Sequence, residues 1–254
     1  MPAQFETFLC LSDNIGVLMH DPATGKTATI DVPDAEAVLA AAARRGWVIS
    51  DILITHEHGD HVQGVAAVKE KTGATVAGPM QAMTSAPVDI VVQDETQVRV
   101  GNLRGDVRAT PGHSAGHVIY HFADENAAFV GDVLFVMGCG RVSGSMDQMW
   151  KSVGIVGALP DDTKLWVGHD YTLSNAKFAL SVDPDNEDLQ KRFMRAETMK
   201  ANGELWGTTN IGMEKLTNPF LRLKEKAIRK ATRLGEGQTQ RDTFEALREM
   251  KNRF

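Results

Sequence analysis

The chain has 254 residues, 43% hydrophobic and 24% charged, enough apolar material for a sizeable core, which excludes a disordered or fibrous protein. Its formal net charge of −6 excludes a generally basic nucleic-acid binder, and no apolar run approaches the roughly 18–20 residues of a membrane span. The charge is uneven: ten basic face five acidic residues from Arg222 to Phe254, a local +5 that leaves −11 on residues 1–221 and points to an anionic partner for that end.

The N-terminal MPAQFETFLC lacks the pattern of a signal peptide, and two cysteines, Cys10 and Cys139, cannot form a disulfide framework, so a reduced, cytoplasmic protein is expected. Ile15–Met19, a turn-rich HDPATGK and Thr27–Asp31 read as a hairpin. Asp34–Arg45 reads as an alanine-rich helix stopped by Gly46, and Val48–Ile54 as a buried strand. Strand-like segments follow at Thr75–Ala77, Ile90–Val92, Gln97–Val100, Val107–Thr110, Val118–Phe122, Ala127–Val130 and Leu165–Val167. Many short strands with few helices point to a mixed α/β sandwich, and no glycine-rich phosphate loop follows a strand. Beyond about Tyr171 the chain turns to helix formers, at Asn186–Met199, Pro219–Arg233 and Gln240–Met250, which reads as a helical appendage.

The segment Thr55-His56-Glu57-His58-Gly59-Asp60-His61 puts three imidazoles and a carboxylate within six residues at the end of an apolar strand, a donor mixture that suits divalent metals. His56 and His58, two apart, can point the same way from an extended segment, while Asp60 and His61 begin a new turn and can serve a second ion. His113, Asp132 and His169 each follow an expected strand beside a glycine, so strand ends can carry them to one cleft.

Together, T-H-x-H-x-D-H and the distant His, Asp and His resemble the metallo-β-lactamase superfamily. The segments TPGHSAGHVIY, GDVLFVMGCGR, LPDDTKLWVGHDYT, NPFLRLKEK and ALREMKNRF resemble, more narrowly, its glyoxalase II (hydroxyacylglutathione hydrolase) family. The resemblance implies an α+β fold: an αββα sandwich over 1–172 carrying the metals, and a helical glutathione-binding domain over 173–254. It implies two divalent metals, zinc first and iron or manganese as alternatives, one held by His56, His58 and His113, the other by Asp60, His61 and His169, with Asp132 bridging. A hydroxide between the metals would attack S-D-lactoylglutathione and related 2-hydroxyacyl thioesters, releasing D-lactate and glutathione in methylglyoxal detoxification. Asp60 and Asp132 are thereby catalytic. A thiolate leaves with little need of a general acid, which favours a thioester over an amide.

Glutathione-binding positions carry over to Arg141, Ser143, Tyr171, Arg248 and Lys251. The family commonly has Lys and Tyr where Arg141 and Ser143 stand; Arg141 keeps the charge, whereas Ser143 is too short for a phenol's reach. Arg248 and Lys251 also fit a solvated basic helix end. A glutathione persulfide dioxygenase with one iron is the alternative enzyme. His117 reads as structural, Cys139 as a packed thiol, and Asp51 either orients a ligand imidazole or caps a turn.

Overall fold

The structure, a computed structural model, describes residues 1–235 and 237–254. Strand β1 (Gln4–Cys10) pairs antiparallel with β2 (Asn14–Asp21), and β2 turns back into β3 (Lys26–Ile30), the expected hairpin. Asp34 caps α1 (Ala35–Arg45) by accepting from Glu36 N and Ala37 N, and Gly46 ends it at φ 66°. Strand β4 (Val48–Leu53) runs parallel to β3 and delivers the histidine-rich segment, which opens α2 (Gly59–Val62). After α3 (Val65–Thr72), β5 (Thr75–Pro79) and β6 (Ile90–Val92) complete a sheet ordered β1-β2-β3-β4-β5-β6.

The second sheet begins with the antiparallel run β7 (Gln97–Val100), β8 (Leu103–Ala109), β9 (Val118–Phe122) and β10 (Ala127–Gly131). A small separate hairpin, β11 (Leu134–Phe135) and β12 (Gly138–Cys139), precedes α4 (Met146–Gly157), and β13 (Lys164–Val167) returns parallel to β10. The remaining chain forms α5 (Thr172–Val182), α6 (Glu187–Ala201), β14 (Thr208–Asn210), α7 (Ile211–Thr217), α8 (Lys226–Ala231) and α9 (Gln240–Asn252).

Period-two alternation sorts each central strand between two cores. In β10, Ala127 and Phe129 join Val17, Leu53 and Trp166 between the sheets, while Ala128 and Val130 face Met149, Val153, Phe178 and Phe244 from the helices. On the other side α1 and α3 bury Val38, Ala41, Val65 and Val68 against Leu18, Ile52 and Val76. The result is the αββα layering, with strands buried on both faces reading as continuous apolar runs.

Two features of the C-terminal part depart from its sequence reading. The helix expected over Pro219–Arg233 is a short 3₁₀ turn, Pro219–Leu221, followed by the separate α8. The Asn218 side chain accepts from Phe220 N to start that turn, and both Phe220 and Leu223 go into the core, which a tight turn permits at that spacing. Strand β14 pairs antiparallel with β13, so the helical segment also supplies the edge of the second sheet. Among the described residues, no helix is long and apolar enough to cross a membrane.

Candidate metal centre

All seven candidate ligands leave the sheets at strand ends on one edge of the sandwich: His56 to His61 after β4, His113 after β8, Asp132 after β10 and His169 after β13. Three imidazole nitrogens converge in a first group, with His58 Nδ1 lying 3.1 Å from His56 Nε2 and 3.0 Å from His113 Nε2. In a second group His61 Nε2 and His169 Nε2 are 3.3 Å apart, and Asp60 Oδ2 is 3.3 Å from His169 Nε2. The Asp132 carboxylate stands between them, Oδ2 at 3.4 Å from His113 Nε2 and 3.5 Å from His169 Nε2, and Oδ1 at 3.5 Å from His61 Nε2.

The outer ring nitrogens decide what the inner ones offer. Thr55 Oγ1 donates to Asp31 Oδ2 (2.7 Å), so it accepts from His56 Nδ1–H (3.0 Å) and leaves a lone pair on His56 Nε2. His113 Nδ1–H donates to the Arg141 carbonyl (3.0 Å), His61 Nδ1–H to Asp31 (2.8 Å) and His169 Nδ1–H to Asp13 (2.8 Å), each turning its Nε2 into the cluster as the nitrogen that faces a metal. Lone pairs facing one another in a buried pocket are unfavourable unless a cation sits among them. Asp132 Oδ1 is buried with no hydrogen-bond partner, as expected of an oxygen meant for a metal. The residues therefore fit divalent metal ions.

In the first group the electrostatics agree. Burial and the neighbouring imidazoles hold His56 well below the usual histidine range, and burial lowers His113, keeping both neutral as ligands must be. In the second group burial works to lower His61 and His169, but the Asp132, Asp31 and Asp60 carboxylates carry His61 to about 9 and Asp60, Asp132 and Asp13 raise His169, so protons balance the carboxylates there until a metal cation displaces them. The His169 imidazole, 3.3 Å away, pulls Asp60 well below the ordinary carboxylate range.

Asp31 and Asp13 escaped the sequence reading, which looked to Asp51 for ligand support. Asp51 instead accepts from Ser50 Oγ (2.6 Å) within its own strand and reaches no ligand imidazole, because its position along β4 is too far from the strand end. Asp31 lies at the end of the neighbouring parallel strand, at φ 55°, an unusual conformation for a non-glycine residue that only the structure shows. Although Asp31, His56 and His61 also lie close enough to form a metal-type group, the Asp31 oxygens are taken by Thr55 and His61 Nδ1. His117 belongs to neither group but supports one of the candidate ligands: its Nε2 accepts from Asp132 N (3.1 Å) and its Nδ1–H donates to Thr110 Oγ1 (2.9 Å), which fixes the backbone of Asp132. Glu57 joins neither group and accepts from Ser114 Oγ (2.9 Å), tying the first loop to that of His113.

A cavity of about 420 Å³ opens from His113 and Asp132 toward the C-terminal helices, its far wall formed by Arg141, Tyr171, Arg248 and Lys251. The Tyr171 ring stacks on the His169 imidazole at 4.9 Å and 4°. Lys251 donates to Ser174 O and Oγ (3.1 Å each), and burial with the neighbouring Arg248 charge lowers it to about 8. Ser143 is exposed and does not line the cavity; its backbone N–H is bound to Gly112 O (3.1 Å).

Two family models cover nearly all of the chain. Residues 13–169 match the metallo-beta-lactamase superfamily, and residues 170–254 match the hydroxyacylglutathione hydrolase C-terminus. A hydroxyacylglutathione hydrolase of Methylobacterium nodulans is 50% identical over 99% of both chains. One of Rhizobium johnstonii is 44% identical over 100% of this chain and 99% of its own. Among solved structures, ETHE1 from Myxococcus xanthus superposes with a TM-score of 0.66 at 26% identity, over 98% of this chain and 99% of that one. With paired histidine–aspartate clusters at the sandwich edge and both segments matched, the chain belongs to the hydroxyacylglutathione hydrolase family of the metallo-β-lactamase superfamily.

Proposed function

We propose that the protein hydrolyses S-D-lactoylglutathione and related S-(2-hydroxyacyl)glutathione thioesters to D-lactate and glutathione, the thioesterase step of methylglyoxal detoxification. The observation that carries this reading is the pair of ligand groups sharing Asp132 at the base of a cation-walled cavity, in a chain that matches this family end to end. His56, His58 and His113 would hold one divalent ion, Asp60, His61 and His169 a second, and Asp132 both. Bound there, the ions supply Lewis-acid polarisation of a carbonyl and an acidified water at neutral pH. Imidazole and carboxylate donors suit zinc, and accept iron or manganese according to supply.

The chain's own groups do the positioning. Arg141 and Lys251 stand on the cavity wall as counter-charges for the two glutathione carboxylates, and a guanidinium can clasp one with parallel hydrogen bonds. Tyr171, held flat against His169, limits how the thioester enters between cavity and metal ligands. The cluster imidazoles are oriented in advance by Asp31, Asp13, Thr55 and the Arg141 carbonyl, which avoids reorganisation during the reaction. A thiolate departs readily, consistent with a cavity whose wall places no strong acid beside the ligands.

In this reading residues 1–172 form the catalytic domain and 173–254 the glutathione-binding one, and the enzyme works as a cytoplasmic monomer without nucleic-acid or membrane partners. The complete second ligand group counts against a single-iron persulfide dioxygenase. Steady-state hydrolysis of S-D-lactoylglutathione by zinc-loaded protein is the test: turnover is expected, and no turnover with any glutathione thioester would overturn the reading.

A further inference from the structure

The turn between β1 and β2 ends against the segment that carries His169. Asp170 N donates to Asp13 O (2.8 Å), Ile15 N donates to Gly168 O (2.8 Å), and Asn14 and His169 face one another as an antiparallel bridge. Backbone bonds on either side of Asn14 thus fix this tip, and its side chains are free to serve other partners. Asp13 Oδ1 accepts from His169 Nδ1–H, and Asn14, only 3% exposed, reaches Asp60.

Asn14 Nδ2 donates both to Asp60 O (3.1 Å) and to Asp60 Oδ2 (3.2 Å), and since both are acceptors the amide must present its nitrogen to them. The carbonyl needs this donor. In a longer helix Gly64 N would bond Asp60 O, but α2 stops at Val62 and Gly64 N donates to Val32 O (3.0 Å) instead. The carboxylate needs it too. Five of the seven candidate ligands are buried and fixed by packing, whereas the Asp60 side chain is 44% exposed and can turn to water. Gripped at its carbonyl and at Oδ2 together, Asp60 is kept in the one rotamer that places Oδ2 at 3.3 Å from His169 Nε2 and 3.9 Å from His61 Nε2.

We propose that Asn14 is a positioning residue for the second ligand group: its carboxamide selects the rotamer of Asp60 and so sets the affinity for one ion of the pair. With Asp13 on His169 and Asn14 on Asp60, two adjacent residues of one hairpin orient two of the three ligands of that group, and neither bonds His56, His58 or His113. The hairpin tip therefore governs the second ion and leaves the first alone. The proposal rests on the two-ion reading of the centre and is independent of which thioester is cleaved.

The test is zinc competition between the whole protein and a chromophoric chelator, which reads the two affinities separately, in parallel with kcat and KM for S-D-lactoylglutathione. Asn14→Ala is expected to hold one ion about tenfold more weakly and the other as in the wild type. At limiting zinc kcat should fall with KM little moved, because Asn14 is not on the cavity wall. Asn14→Leu, close in volume and without a donor, is expected to behave alike and covers the case in which the alanine variant does not fold. Since Asn14 acts through Asp60, Asp60→Ala and the variant carrying both alanines are expected to bind zinc alike, whereas a general loosening of the hairpin would add to the loss. Leu11→Asn, at the exposed turn of the same hairpin, is expected to keep both wild-type affinities. Unchanged affinities in both position-14 variants, equal weakening of both ions, an added loss in the double variant, or the same loss in the position-11 variant would overturn the proposal. A wild-type chain that holds no pair of ions would instead overturn the two-ion centre, and this proposal with it.

Discussion

The carboxylate of Asp31 holds His61 and Thr55 together: Oδ2 accepts from His61 Nδ1 at 2.8 Å and from Thr55 Oγ1 at 2.7 Å, while Oδ1 accepts from Thr55 N at 2.7 Å. Through Thr55 Oγ1 the same carboxylate also sets the ring of His56, so one buried aspartate orients a ligand in each metal group. Asp31→Asn is therefore expected to weaken binding of both ions, by about 10- to 100-fold for the ion held by His61. Zinc competition titration reads this directly, and unchanged affinities would remove Asp31 from the centre.

Asp132 is the group common to both clusters, and its backbone N is fixed by His117. Replacing it with alanine should abolish binding of both ions and hydrolysis together, with the fold retained by circular dichroism. Retention of two tightly held ions would show that it is no bridge.

Gly168 precedes His169, and a Cβ there would stand 2.1 Å from Asp132 Oδ1 and 2.9 Å from His61 Cε1. Gly168→Ala must displace one or both ligands. A displacement of that order costs about 100-fold in kcat/KM, read by steady-state kinetics with zinc present in excess.

Burial and the Arg248 charge lower Lys251 to about 8, so in the free enzyme its ammonium is present below that pH and lost above it. KM for the dianionic glutathione moiety should rise as pH increases through 8, and Lys251→Met should flatten that limb of the profile. The linkage to stability has the opposite direction. Between about pH 8 and the ordinary lysine value, the unfolded chain binds more protons at this site, so its contribution to stability improves as pH rises. Thermal unfolding of the metal-free wild type and of the methionine variant across that window checks the sign.

Ser143, carried over from the family's substrate-binding positions, is exposed and outside the cavity wall. Ser143→Ala is expected to leave KM unchanged, whereas Arg141→Ala should raise it. A raised KM in the serine variant would place the thiol moiety elsewhere than the cavity described.

The uneven charge of the chain takes on a narrower meaning in three dimensions. Of the C-terminal basic residues, Arg248 and Lys251 line the cavity; Arg241 instead pairs at the surface with Asp147 and Glu245. Similarly, alanine-rich Asp34–Arg45 was legible as a helix because its cap and its glycine stop are local, whereas β14 was not, since its three residues become a strand only by pairing with β13.

The seven metal-ligand candidates were legible from sequence alone because each carries its signal locally, a ligating side chain beside a glycine or turn at the end of an apolar run. The αββα class followed from the same periodicity together with the family resemblance. What only the tertiary structure decided is how those ligands are held. Asp31 and Asp13 act across 30 and 156 residues of chain, through a neighbouring strand and a turn. No spacing rule reaches that far. Hydrogen-bond partners over such separations are fixed by which strand ends and helix faces pack together, and that is settled by burial of the whole core rather than by any local stretch of residues.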